Sequence, residues 1–409
     1  MATPEAFLRA AWRVAFAWLL LLCGAPAFAQ ENPTGDVATS LRIGVVTMTP
    51  GDEYWSRFGH NAILVVDDAA GTRTSYNFGY FDFDQPGFLA RFLRGDMLYR
   101  LVALPLEQDL ATYEYEGRGV TLQWLNLSPE ESTKLRDHLA WHARPENAEY
   151  RYDYFTSNCS TKVRDALDVA LDGALGKQLD GRSHGLTYRA EALRLGADLP
   201  WLYLGMHAGL GPFADKPLTI REESFVPRRF ADALAEARNA RGEPLVSAWV
   251  EVLPDKLKLE RDLTPNPRMR FALAGIATAA ALAWLLRTSA TPWQRVLGSV
   301  TAAGFWLVCG IGGALLLALW RFTAHIAAHG NENLLLFFLP CLLLLAALPA
   351  LWRGTVAARW LRTLALLAFA AAGFALFLKC LPFRIQNNGD FIALMLPIHA
   401  ALAWRLSRN

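Results

Sequence analysis

The chain has 409 residues, 53% of them hydrophobic and 19% charged, with a mean hydropathy of +0.18. Typical soluble domains carry about 25% charged residues, so this composition excludes a disordered or collagen-like chain and a purely soluble enzyme. The 40 Lys and Arg against 38 Asp and Glu leave a net charge of +2, which provides no basic field for nucleic acid.

In chain order, Met1–Ala29 reads as a signal peptide. Arg9 and Arg13 precede an apolar run from Val14 to Leu22, and Ala27-Phe28-Ala29 forms a small-residue cleavage site. A lipobox ending at Cys23 and an uncleaved anchor are the alternatives, and all three put the following segment outside the cytoplasm. Residues 30–267 have the composition of a soluble domain, long enough for one good core. Gly59-His60-Asn61 leads into the strand Ala62–Val66, a turn at Asp67–Gly71, and a second strand from Thr72 to about Phe78. His60 therefore begins a hairpin strand, and Asn77 on the paired strand is within reach to orient its imidazole. The aromatic run Phe78, Tyr80, Phe81, Phe83, Phe88 and Phe92 reads as core packing of a small sheet, or else as a wall for an acyl chain or a membrane-facing lip. His138 and His142 share one face of a helix from Pro129 to Arg144, and no third metal ligand follows at a suitable spacing. His184 and His207 lie in glycine-containing loops.

Five cysteines are present, and Cys159 is the only one predicted to stay in the extracytoplasmic domain. Cys23 belongs to the signal peptide, and Cys309, Cys341 and Cys380 fall in predicted membrane spans. A lone thiol in an oxidising compartment is either buried or needed. Ser157 and Asn158 are good helix caps, and Val163, Leu167 and Ala170 keep a helical period, so Cys159 falls in the first turn of a helix. There the helix dipole and free backbone N–H groups favour a thiolate and can receive an oxyanion. Lys162 and Arg164 add positive charge, Arg164 with the alternative of a local ion pair to Asp165. A thiol nucleophile needs a histidine partner, and His60 is the best placed.

From Met269 onward the chain reads as membrane, with spans at about 270–286, 296–319, 334–352, 361–381 and 391–404. Arg287, Arg295, Arg353, Arg359, Arg362, Arg405 and Arg408 mark the cytoplasmic loops and tail, which leaves the preceding domain outside and the C-terminus inside. Helical spans exclude an outer-membrane barrel. The outer loop around His325, Asn331 and Asn333 has three readings: headgroup binding or completion of the site, a metal site with His329 and Glu332, or simple capping and anchoring. His325, Asn331 and Asn333 are taken as candidate substrate contacts, together with Tyr76 and Asn158.

Gly59-His60-Asn61-Ala62, Tyr76-Asn77-Phe78-Gly79-Tyr80-Phe81-Asp82-Phe83 and Asn158-Cys159-Ser160-Thr161 resemble the Lnb periplasmic-domain family. More distantly the order His then Cys is similar to permuted papain-like hydrolases, the NlpC-type peptidases and the lecithin–retinol acyltransferase group. The first resemblance covers roughly residues 40–200. It implies an α+β papain-like domain followed by an all-α transmembrane bundle, and lipoprotein N-acylation as the activity. Cys159 would be the nucleophile and His60 the base, with a phospholipid as acyl donor, a lipoprotein amine as acceptor, and neither cofactor nor metal. The orienting role of Asn77 rests on its strand position. A periplasmic cysteine peptidase or amidase and a non-enzymatic membrane scaffold are the alternatives.

Overall fold

The computed structural model describes residues 41–82 and 86–408, so the signal-peptide reading and Phe83 lie outside the described residues. Among the described residues, seven strands form one sheet: β1 (Leu41–Met48), β2 (His60–Asp67), β3 (Thr72–Tyr80), β4 (Leu98–Pro105), β5 (Val120–Leu125), β6 (Glu149–Arg151) and β7 (Val246–Leu253). The order is β6-β4-β3-β2-β1-β5-β7, and every neighbouring pair is antiparallel. The β2–β3 hairpin forms because the Asp67 carboxylate accepts the N–H groups of Ala69 and Ala70 and closes the turn.

Antiparallel strands usually alternate apolar and polar residues, yet β1 and β2 are almost continuously apolar. The reason is that the central sheet is covered on both faces. On one face Ile43, Val45, Ile63 and Val65 pack into the main core, and on the other Val46, Met48, Ala62 and Leu64 pack into a second.

The helices of the sheet domain are α1 (Phe88–Arg94), α2 (Leu106–Glu116), α3 (Pro129–His142), α4 (Cys159–Ala170), α5 (Ala174–Asp180), α6 (Tyr188–Leu195), α7 (Pro200–Gly209), α8 (Ile220–Glu223) and α9 (Pro227–Glu236). Tyr113 of α2 joins the second core, whereas Leu135 and Leu139 of α3, Val163 and Leu167 of α4 and Phe230 of α9 fill the main one. α4 thus lies across the β2–β3 hairpin with its N-terminus at the strand end that carries His60.

The helical region contains α10 (Arg268–Leu285), α11 (Pro292–Phe322), α12 (Leu348–Arg353), α13 (Arg359–Leu378) and α14 (Gly389–Ser407). α10, α11, α13 and α14, together with Glu332–Arg353, which ends in α12, make five candidate membrane spans among the described residues. The third span departs from the expected α-helix, because Leu339–Ala347 is a 3₁₀ helix. Pro340 and Pro349 interrupt α-helical bonding there. The segment lies close on α11, where a side chain at Gly310 would meet Leu342 and one at Gly313 would meet the Phe337 carbonyl. Cys380, expected inside the fourth span, lies just beyond α13 and is exposed.

A polar seam joins the sheet domain to the bundle. The Asn331 amide donates to the Ala208 and Gly209 carbonyls at the end of α7 (2.8 and 2.9 Å), and the Asn333 amide donates to Ala208 (2.9 Å). Gln386 and Asn388 donate to the side-chain oxygens of Asn331 and Asn333, and His207 pairs with Asp390 at 3.0 Å.

Candidate active site

Cys159 is the first residue of α4. The Asn158 side chain caps the helix by accepting the Thr161 N–H (3.0 Å), and the Thr161 hydroxyl accepts the Asn158 N–H in return (2.8 Å). That reciprocal cap leaves the N–H of Ser160 free, and it points to the Cys159 sulphur together with the N–H of Asn61. A strap holds the helix start to the strand start: the Ser160 hydroxyl meets the Asn61 oxygen at 2.7 Å and the Ser224 carbonyl at 2.6 Å. Gly59 adopts φ +78°, with the Met48 carbonyl only 2.8 Å from where a Cβ would stand, so only glycine brings the chain into His60 this way. Gly79, at φ +99° in the β3 bulge, gives room on the other side, because its missing Cβ would stand 3.6 Å from the Cys159 Cβ.

His60 and Cys159 are hydrogen-bonding and charge partners. The other ring nitrogen, Nε2, lies 3.0 Å from Asn77 Oδ1. Asn77 Nδ2 donates to the Asp109 carboxylate of α2 (3.0 Å), and the Ser75 hydroxyl donates to the same oxygen (2.6 Å). A line of hydrogen bonds therefore runs from the thiol through His60 and Asn77 to Asp109. Burial works against the charged forms of both Cys159 and His60, but the partner outweighs it. The Cys159 thiol is held below its ordinary value by the His60 charge and hydrogen bond and by the two N–H groups. The His60 imidazole is held above its own by Cys159 and Asp109, with Arg118 opposing.

Of the residues singled out from the sequence, the structure brings together Cys159, His60 and Asn77. Asn158 caps α4, and its amide donates to the Tyr154 and Phe225 carbonyls (3.0 and 2.8 Å). Tyr76 points into the main core. Asn331 and Asn333 are buried in the seam, with their amides taken up by α7, so they fasten the two halves together. His325 reaches the Phe92 carbonyl of α1 (3.1 Å) and stacks on Tyr154. Lys162 lies over the Tyr150 ring, and Arg164 turns to Asp165 and the Arg221 carbonyl.

Sequence reasoning missed Asp109, Ser75 and Tyr150. Asp109 sits among other acidic residues in a short helix, and nothing in the pattern separates a buried carboxylate from a solvated one. The Tyr150 hydroxyl is buried beside Gly79 without a hydrogen-bond partner among the described residues.

Residues 30–191 match the family model described as the Lnb N-terminal periplasmic domain. The chain carries an Lnb periplasmic domain. Cys159, His60, Asn77 and Asp109 all lie within the matched Lnb segment, and the five candidate spans lie beyond it. No curated protein and no solved structure matches the chain significantly. Taken together, the Lnb domain and the five apolar spans describe a multi-pass inner-membrane protein.

Proposed function

We propose that this protein is a cysteine-dependent acyltransferase that moves an acyl chain from a phospholipid, through a thioester on Cys159, to the N-terminal amine of a lipoprotein. The observation that carries the reading is the Cys159–His60–Asn77–Asp109 line in a domain fastened to five apolar spans. A thiol at a helix start against a strand-borne histidine is papain-like chemistry in permuted chain order. The Arg-rich bundle end, where Arg295 donates to the Arg353 carbonyl (3.0 Å), is taken as cytoplasmic, along with the C-terminus.

The reaction has two halves. His60 takes the Cys159 proton, and the thiolate attacks the ester carbonyl. The N–H groups of Asn61 and Ser160, which face the Cys159 sulphur, would then receive the oxyanion. Collapse breaks the acyl–oxygen bond, and His60 returns the proton to the leaving glycerol oxygen. The incoming amine then attacks the thioester, His60 takes its proton, and the thiolate is released. Asn77 holds the ring, and Asp109 holds Asn77.

Five membrane spans exceed what a peptidase acting in the periplasm needs for anchoring, which favours a lipid-borne donor. The test is intact-mass spectrometry of the full-length protein after incubation with phospholipid, comparing wild type with Cys159→Ala. The expected result is an acyl-sized gain, removed by neutral hydroxylamine and absent from the variant. No adduct on either folded protein across several lipids would overturn the reading and favour peptide hydrolysis.

A further inference from the structure

α1 has no buried residue, and Leu89 and Leu93, one helical turn apart, are 67% and 59% exposed. Arg91 and Arg94 occupy its last turn. Two leucines beside two arginines on a short exposed helix suit the boundary between acyl chains and phosphate headgroups. The connections of α1 point to the same boundary. The Arg94 carbonyl accepts the Ala324 N–H (2.7 Å), and the Phe92 carbonyl is met by His325 (3.1 Å). Both partners immediately follow α11, a candidate membrane span whose end carries the exposed aromatics Trp320 and Phe322. α1 is thus hydrogen-bonded to the segment that leaves the end of a candidate membrane span.

Behind the leucines, a file of rings leads from α1 towards the thiol. Phe92 stacks on Phe88 (6.2 Å between centroids), Phe88 on Phe81 (6.0 Å), Phe81 on Tyr99 (5.0 Å) and Tyr99 on Tyr152 (4.1 Å). Tyr152 lies within the electrostatic reach of Cys159. Phe92, Phe88, Phe81, Tyr152 and Cys159 are all only partly buried against the main core.

We infer that α1 is a lipid-contacting helix, and that the stacked rings form the wall along which the acyl chain of a glycerolipid ester in the outer leaflet reaches Cys159. The occupant is an acyl chain, because the file offers flat apolar faces, and Arg91 and Arg94 at its α1 end suit the phosphate. The guiding role rests on the acyl-transfer reading above. The lipid contact of α1 does not.

The experiment uses the full-length protein in nanodiscs of phosphatidylethanolamine and phosphatidylglycerol. A photo-crosslinking benzoylphenylalanine is placed at position 89, at 93, or at 70 in the exposed β2–β3 turn. Lipid-mass adducts about tenfold more abundant at 89 and 93 than at 70 are expected. Equal yields overturn the contact, whatever the enzyme does. In the second arm, Leu89→Asp with Leu93→Asp slows acyl loading of Cys159 from the nanodisc about tenfold. The same variant leaves Cys159 alkylation by water-soluble iodoacetamide unchanged. Wild-type loading by this variant overturns the guiding role. Should alkylation also fall, Leu89→Ser with Leu93→Ser replaces it under the same criteria. If the wild type itself never loads, the acyl-transfer reading and the guiding role fail together, while the crosslinks still decide the contact.

Discussion

Asp109→Asn tests whether the hydrogen bonds behind His60 set the state of the thiol. A carboxylate only accepts, so Asp109 forces the Asn77 amide to turn its NH₂ inward and its oxygen towards His60. That oxygen also only accepts, so in the neutral ring Nε2 carries the hydrogen and Nδ1 faces the thiol as the base. The substitution keeps the shape and removes one negative charge. Two 3.0 Å hydrogen bonds and an amide separate the carboxylate from the ring, roughly 7 Å, which at an effective dielectric of about 20 corresponds to roughly 2 kcal/mol. The ring is half-buried, so solvent screening reduces this to about 1 kcal/mol, or about fivefold in the imidazolium–thiolate population. Asp109 raises the His60 value. Without it His60 loses its proton at lower pH, and Cys159 loses the cation that keeps it ionised. Iodoacetamide alkylation of Cys159, followed by peptide mass spectrometry across pH, should run about fivefold slower in mild acid, with its acidic limb moved to higher pH. An unchanged profile in a normally folded variant would refute the relay.

Three further outcomes follow from the same geometry. Glu191 is buried between Arg194 (2.7 Å) and Arg229 (3.0 Å), and although burial pushes its carboxyl up, these partners hold it below the usual range. Its contribution is complete above the ordinary carboxylate range and is lost as pH falls through the depressed folded value. Glu191→Gln should therefore cost about 3 kcal/mol at neutral pH and flatten the acid side of a denaturation-midpoint profile. Gly79→Ala meets Cys159 at an ordinary 3.6 Å, so its penalty is the backbone at φ +99°, about 1–3 kcal/mol; an unfolding midpoint within error of wild type would show the bulge to be relaxed. Asn333→Leu strands the Asn388 amide in the seam and leaves the Ala208 carbonyl with Asn331 as its remaining side-chain donor, at about 1–3 kcal/mol. In nanodiscs this variant should unfold earlier yet keep wild-type alkylation of Cys159, and a coupled loss of alkylation would contradict a purely fastening role.

Local patterns carried much of the site. Ser157-Asn158 ahead of Val163, Leu167 and Ala170 announces a capped helix, because capping and helical period are properties of neighbouring residues. The turn Asp67–Gly71 between two apolar runs similarly announces the hairpin that carries His60 and Asn77. The five spans are legible because a membrane core demands long apolar stretches whatever the neighbours do, although the prolines of the third span make it 3₁₀ over Leu339–Ala347. Tertiary structure decided the rest. Asp109 differs from the acidic residues beside it only because α2 packs that one turn against β3. Asn331 and Asn333 carry the polar signature of a ligand site, but the carbonyls exposed at the end of α7 claim them. Composition gives the same residues either role. The choice depends on which unpaired backbone groups another part of the chain brings within 3 Å.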